Sequence, residues 1–147
     1  MHMKRREKSV KTIWTGIQLA FSAIGGIIGW YLGGLDGFLY ALIAFVIADY
    51  ITGVLVATVQ KKLSSSIGFK GILRKVCIFI LVGIGNLLDR YVFGEAGVLR
   101  TAVIFFYLSN EGVSILENAG HLGVKYPQKL KNVLAQLHDR HDKEDNE

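Results

Sequence analysis

The chain has 147 residues, 51% of them hydrophobic, and a mean hydropathy of +0.37, which is too apolar for an ordinary soluble domain of this size. Gly 17 against Pro 1 suits helices packed in a membrane. A net charge of +5 admits nucleic acid or anionic lipid as partner until the charges are placed, and the single cysteine, Cys77, excludes an intrachain disulfide framework.

Residues 1–11 form a basic N-terminus with Lys4, Arg5, Arg6, Lys8 and Lys11. It looks like the start of a signal peptide, but the apolar run behind it is too long and no A-x-A site closes it, so no cleavable signal is expected. Met1-His2 reads as a cloning remnant or as part of a dual start. Positions 12–35 carry no charge. A helix of that length is about 36 Å long, enough for a hydrocarbon core of about 30 Å. Within it "GGIIGWYLGG" places Gly25, Gly29 and Gly33 on one face, a surface for close helix packing within the monomer or between subunits.

A second span is predicted at about 37–60, where Asp49 is the one charge. Ala41, Ala44, Ala48 and Thr52 line one side, and Gly53 adds another small position. The stretch "KKLSSSIGFKGILRK" follows. Its serines and Gly68-x-x-Gly71 punctuate a turn. Lys61, Lys62, Lys70, Arg74 and Lys75 read as membrane-surface cations, with Ile67, Phe69, Ile72 and Leu73 suited to the headgroup layer.

The third apolar run, between Lys75 and Asp89, is too short alone. It becomes a span at 72–93 if Arg74 and Lys75 snorkel, and it holds Gly83, Gly85 and Asn86. A fourth span at 98–119 carries Arg100 near its start and Glu111 inside. Tyr107, Glu111, Ser114 and Asn118 recur at helical steps as a polar stripe that must face protein or water. Residues 121–147 read as a cytoplasmic amphipathic helix, with Leu130, Val133, Leu134 and Leu137 on one face, and a charged tail.

Fifteen of the 17 Lys and Arg fall in three stretches: the N-terminus, the 61–75 connection and the tail. The positive-inside rule puts all three in the cytoplasm, with the connections around Asp36 and Asp89–Val98 outside. The fold expected is an all-α membrane protein of about four transmembrane helices with a C-terminal cytoplasmic amphipathic helix. The cations then read as topology signals and contacts to anionic headgroups, and nucleic acid drops out as a partner. A soluble helical domain with unusually apolar helices is the competing reading.

Asp49, Asn86, Glu111, Ser114 and Asn118 are the candidate intramembrane polar residues, since a carboxylate in hydrocarbon persists only when paired, hydrogen-bonded, protonated or wetted. They act either as a structural lock between helices or as the lining of an aqueous path. No G-x-S-x-G, H-E-x-x-H or CxxC occurs, so no enzyme, metal site or cofactor is expected. His138 and His141 are three apart beside Asp139 and Asp142, too few ligands for a metal in a solvated tail.

"DYITG" at 49–53, "KKLSSSIGFKGILRK" at 61–75 and "NEGVSILENAGHLGVKYPQKL" at 110–130 resemble the phage-lysis and toxin-secretion holin family. The resemblance covers about Asp49 to Leu134, in matching order and spacing. Asp49, Gly53, Gly68, Gly71, Arg74, Lys75, Glu111, Ser114, Asn118 and Pro127 occupy its motif positions. It implies a small bacterial inner-membrane protein that oligomerises and opens lesions, releasing an endolysin or assisting toxin export without required direct contact with either. The alternatives are a small proton-coupled transporter using Asp49 or Glu111, for which no internal repeat is evident, and a non-conducting scaffold that recruits a soluble partner through the tail.

Overall fold

The computed structural model describes residues 2–94, 97–133 and 136. The described residues hold four long helices: α1 (His2–Tyr31), α2 (Gly37–Val59), α3 (Ser65–Leu88) and α4 (Val98–His121). A π-helical turn, Asp89–Phe93, prolongs α3. Among the described residues there is no strand, and a short helical stretch at 128–133 follows α4. Leu130 and Val133 of that stretch are exposed. Leu134, Leu137, His138 and His141 lie outside the described residues.

Each turn is written in local chemistry. At the end of α1, Gly34 N–H donates to the Gly29 carbonyl at 2.8 Å and Gly33 N–H to Trp30 at 3.2 Å, the paired bonds of a Schellman ending. Gly33 takes φ +82 there, a left-handed conformation that favours glycine. Asp36 then caps α2 by accepting from Leu39 N–H at 2.9 Å. The end of α2 repeats the pattern, with Lys62 N–H on Ala57 at 2.9 Å and Lys61 at φ 55. Ser64 accepts from Ile67 N–H and so starts α3.

α3 therefore begins well before the 72 expected of the third span. Residues 65–73 are its first turns, not a separate surface segment, and Gly68 and Gly71 sit inside the helix against the ring of Tyr50. Together α3 and the π turn give an apolar segment of 29 residues, Ser65–Phe93, which resolves the shortness of the uncharged run.

α4 is the central helix. Asp36 meets Arg100, Asp49 meets Asn118 and Thr52 meets Asn118, at sequence offsets of 64, 69 and 66. A nearly constant offset means that α2 and α4 run parallel. Lys75 meets Glu111 and Gly85 approaches Arg100, so α3 runs antiparallel to α4. The core joins Leu39, Leu42 and Val46 of α2, Ile78 and Val82 of α3 and Ile104 of α4. Among large apolar side chains of α4, only Val98 at its first position is exposed, whereas α1, α2 and α3 expose many, such as Phe21, Ile47 and Ile80. Those outward faces form the apolar belt of a lipid-facing protein.

Among the described residues three helices are long and apolar enough to cross a membrane: Lys11–Tyr31, Gly37–Val59 and Ser65–Phe93. α4 is equally long but carries Arg100, Glu111 and Glu117. It is lowered in hydropathy by the groups that the other helices enclose.

α1 joins the rest through its last turn. The Tyr31 ring lies where a side chain on Gly83 would sit, and its hydroxyl donates to the Ile80 carbonyl at 2.8 Å. Gly25 and Gly29 face open space, and Gly33 belongs to the turn, so the three glycines do not form one packing face within the chain.

Gly83→Val is expected to expel the Tyr31 ring and cost about 1–3 kcal/mol, the usual penalty of overpacking. Spin labels on Ile27 and Ile84 should report a broadened distance distribution. An unchanged distribution would mean that this contact does not hold α1.

Candidate functional site

Two polar knots lie at different depths along α4, separated by the apolar core. Arg100 and Glu111, their respective centres, are 11 residues and so roughly 16 Å apart along the axis.

The first knot ties the α1–α2 turn to the start of α4. Arg100 is 5% exposed. Its Nε donates to the Leu32 carbonyl at 2.5 Å, one terminal nitrogen to Asp36 Oδ2 at 2.6 Å and the other to the Gly34 carbonyl at 3.0 Å. Asn86 Nδ2 donates to the Tyr31 carbonyl at 3.0 Å. A side chain on Gly33 would meet both Asn86 and Arg100, so the glycine serves this knot as well as the turn. Arg100 thereby satisfies the carbonyls left open by the end of α1, which water would otherwise have to meet.

Asp89 completes the arrangement. It is 2% exposed, and its two carboxylate oxygens accept from Leu99 N–H at 2.9 Å and Arg100 N–H at 2.8 Å. Gly97, the residue before α4, has no side chain to cap with. The carboxylate of Asp89 supplies that cap from the preceding helix, and favours the positive end of the α4 dipole. Sequence reasoning missed this role, and took Asp36 and Asp89 as markers of outer connections. The available signal was a lone arginine opening an apolar run, 11 residues after Asp89.

The second knot joins α2, α3 and α4 near the middle of α2 and α4. Lys75 Nζ lies 2.5 Å from Asp49 Oδ2 and also bonds Glu111 Oε2. These side chains are 13% (Lys75), 13% (Asp49) and 7% (Glu111) exposed. Asn118 Nδ2 donates to Asp49 Oδ1 and to Thr52 Oγ1, each at 3.1 Å. Both oxygens of Asp49 are therefore engaged within one chain. Glu111 and Asn118 of the polar stripe thus face protein, with partners on α2 and α3 of the same chain. One ammonium faces two carboxylates, so a fully ionised knot holds one negative charge in excess.

Lys75 turns inward to this knot, whereas Lys61, Lys62, Lys70 and Arg74 are exposed. Asn86 belongs to the Arg100 knot and not to that of Asp49. Ser114 is half-buried on α4 and is not among the groups bonded to Asp49 or Lys75. Ala44 is exposed, Ala48 is half-buried, and Gly53 lets Asn118 approach α2. Among the described residues no group of three or more His, Cys, Asp or Glu is placed to hold a metal.

The Arg100 guanidinium holds the Asp36 carboxyl below its ordinary value. A lowered folded-state pKa stabilises the fold above the ordinary carboxylate range, and that contribution is lost as pH falls through the lower value. Asp36→Asn should therefore lower the unfolding midpoint in micelles at neutral pH and converge with the parent protein in strong acid. A constant difference across that range would discount the pair.

Lys75→Met should be more damaging, at about 3–5 kcal/mol, because it leaves two buried carboxylates face to face. Adding Asp49→Asn and Glu111→Gln should recover most of the loss in the same unfolding assay. A single substitution as mild as Lys125→Met would show that the knot contributes little.

The geometry of charges enclosed by apolar helices agrees with sequence comparison. A model of the bacteriophage holin family matches residues 26–139. The chain is 41% identical to an uncharacterised Listeria monocytogenes protein over 87% of this chain and 96% of the relative. It is 38% identical to a 14.9 kDa Clostridium perfringens protein encoded in the 3′ region of nagH, over 84% and 94%. A probable holin of Bacillus phage phi105 is 36% identical over 76% of this chain and 82% of the relative. No solved structure matches. Three membrane-length apolar helices and a family match over most of the chain lead to one conclusion: this is a membrane protein of the bacteriophage holin family.

Proposed function

We propose that the protein is a holin that crosses the bacterial cytoplasmic membrane four times, associates with copies of itself and opens lesions through which a cell-wall endolysin leaves. Beside a toxin gene, the same lesion would serve toxin export. Neither cargo needs to touch the holin, and no catalysis is involved.

The observation that carries this reading is the Lys75 ammonium shared by Asp49 and Glu111 midway along apolar helices. Isolated charges at the bilayer centre cost about 2.5–3.5 kcal/mol each on insertion scales. The closed monomer meets this cost by pairing, and whenever both carboxylates are ionised it holds a negative excess that water would stabilise. A state in which these helices part and admit water thus competes with the closed one. α1 supports association: its exposed apolar surface and the open space at Gly25 and Gly29 leave room for another helix.

Enclosure of α4 by α2 and α3 favours α4 as a fourth span, and the placement of Lys and Arg favours cytoplasmic termini. In a Cys77→Ser background, Leu35→Cys should react with an impermeant thiol reagent from outside and Ser65→Cys only from inside. The opposite pattern would reverse the topology.

Reconstituted protein should release dextrans as well as small dyes from liposomes. Asp49→Asn neutralises the excess charge while keeping hydrogen-bonding capacity, and should insert normally but slow release several-fold. Proton-coupled flux of a small solute without dextran leakage would overturn the holin reading.

A further inference from the structure

A cleft of about 170 Å³ lies between α2 and α3 near the 60–64 connection. Gly53, Ala57, Gly68 and Gly71 are the small residues of its lining, Asp49 and Lys75 line it too, and Arg74 lines it as an exposed cation. A wider hollow of about 590 Å³ adjoins it, shares Tyr50 and Val54, and extends to Ser64 and Ser65 at the start of α3. An apolar cavity of about 150 Å³ already admits a benzene-sized guest, so the cleft is large enough for a segment of hydrocarbon chain.

We infer that this cleft binds one anionic phospholipid, with an acyl chain between α2 and α3 and the phosphate on Arg74. Lys75, next in sequence, is taken by Asp49 and Glu111. Arg74 makes no ion pair among the described residues. Side chains on a helix lean towards its N-terminus and a long arginine snorkels, so the exposed Arg74 guanidinium reaches towards the 60–64 connection while Lys75 turns inward. Lys61, Lys62 and Lys70 are exposed around the same end of α3 and add to its positive potential. Asp49, the carboxylate in the cleft, is bonded by Lys75 and Asn118, which limits its repulsion of a phosphate. Charge complementarity thus selects an anionic lipid over a zwitterionic one, and the planar guanidinium suits a phosphate. The site requires that α2 and α3 lie in a bilayer; it stands whether or not the protein opens lesions.

Native mass spectrometry of the full chain, released from nanodiscs of equal phosphatidylglycerol and phosphatidylcholine, tests the site. The protein should retain phosphatidylglycerol in preference. Arg74→Gln should reduce that retention about fivefold, the effect of one interfacial cation, while Arg74→Lys keeps most of it and Lys125→Gln leaves it unchanged. Gly68→Leu and Ala57→Leu fill the cleft from opposite helices, and each should remove the bound lipid while circular dichroism stays helical. Equal retention of both lipids, an Arg74→Gln variant that behaves like Lys125→Gln, or lipid retained by both cleft-filling variants would overturn the inference. So would displacement by inorganic phosphate alone, which marks a simple anion site, or a lipid-free dimer, which marks a second copy as the occupant.

Discussion

A charge packed among apolar helices finds no water there, so the buried charges of α4, Arg100 and Glu111, must be met by other parts of the protein. The architecture follows from that constraint. Arg100 and Glu111 project from α4 at two depths, and the surrounding helices are arranged to answer them. Asp36 and the carbonyls ending α1 answer the first, while Lys75 and Asn118 organise the second. The apolar core between the knots packs Ile104 against Leu39, Leu42, Ile78 and Val82. α4 is therefore less apolar than α2 and α3, the helices that enclose it.

The two knots differ in balance, and the difference bears on function. Around Arg100, one cation meets one carboxylate and two carbonyls, so charge and hydrogen bonding close together. Asp89 meanwhile is spent on the backbone of α4. Around Lys75, one cation meets two carboxylates. The first arrangement suits a fixed joint. The second suits a place where admitting water would improve the energy of the charges, because hydration replaces a shared partner. On the proposed function, a firm joint would keep the protein closed and the unbalanced centre would favour its opening.

α1 stands apart from this scheme. It is bound at one end by the Tyr31–Gly83 contact and by Asn86, and elsewhere exposes apolar side chains such as Ile13, Phe21 and Ile24. On the proposed function, association would draw on this face of α1 and not on Glu111 or Asn118 of α4, which are bonded within the chain. Close approach of another helix at Gly25 and Gly29 would gain dispersion contacts without disturbing either knot.

Much of the helix layout was legible from hydropathy and charge alone. The second span was expected at 37–60 and the helix runs Gly37–Val59, since a long uncharged run bounded by Asp36 and Lys61 leaves little choice. The polar character of Asp49, Glu111 and Asn118 was equally legible, because carboxylates and amides in apolar runs must have partners. Their partners were not. Lys75 sits at the edge of a basic cluster and reads as a surface cation, yet the antiparallel register of α3 against α4 brings it to Glu111. Asn86 was grouped with Asp49 by its setting, but antiparallel packing carries it to the opposite end. Periodicity reports which face a residue occupies within its own helix. Only tertiary packing decides which residue of another helix stands at the same depth, because that depends on the relative shift and direction of the two helices. The sequence by itself thus determined which segments are apolar and which charges needed answering, and the packed structure decided what answers them.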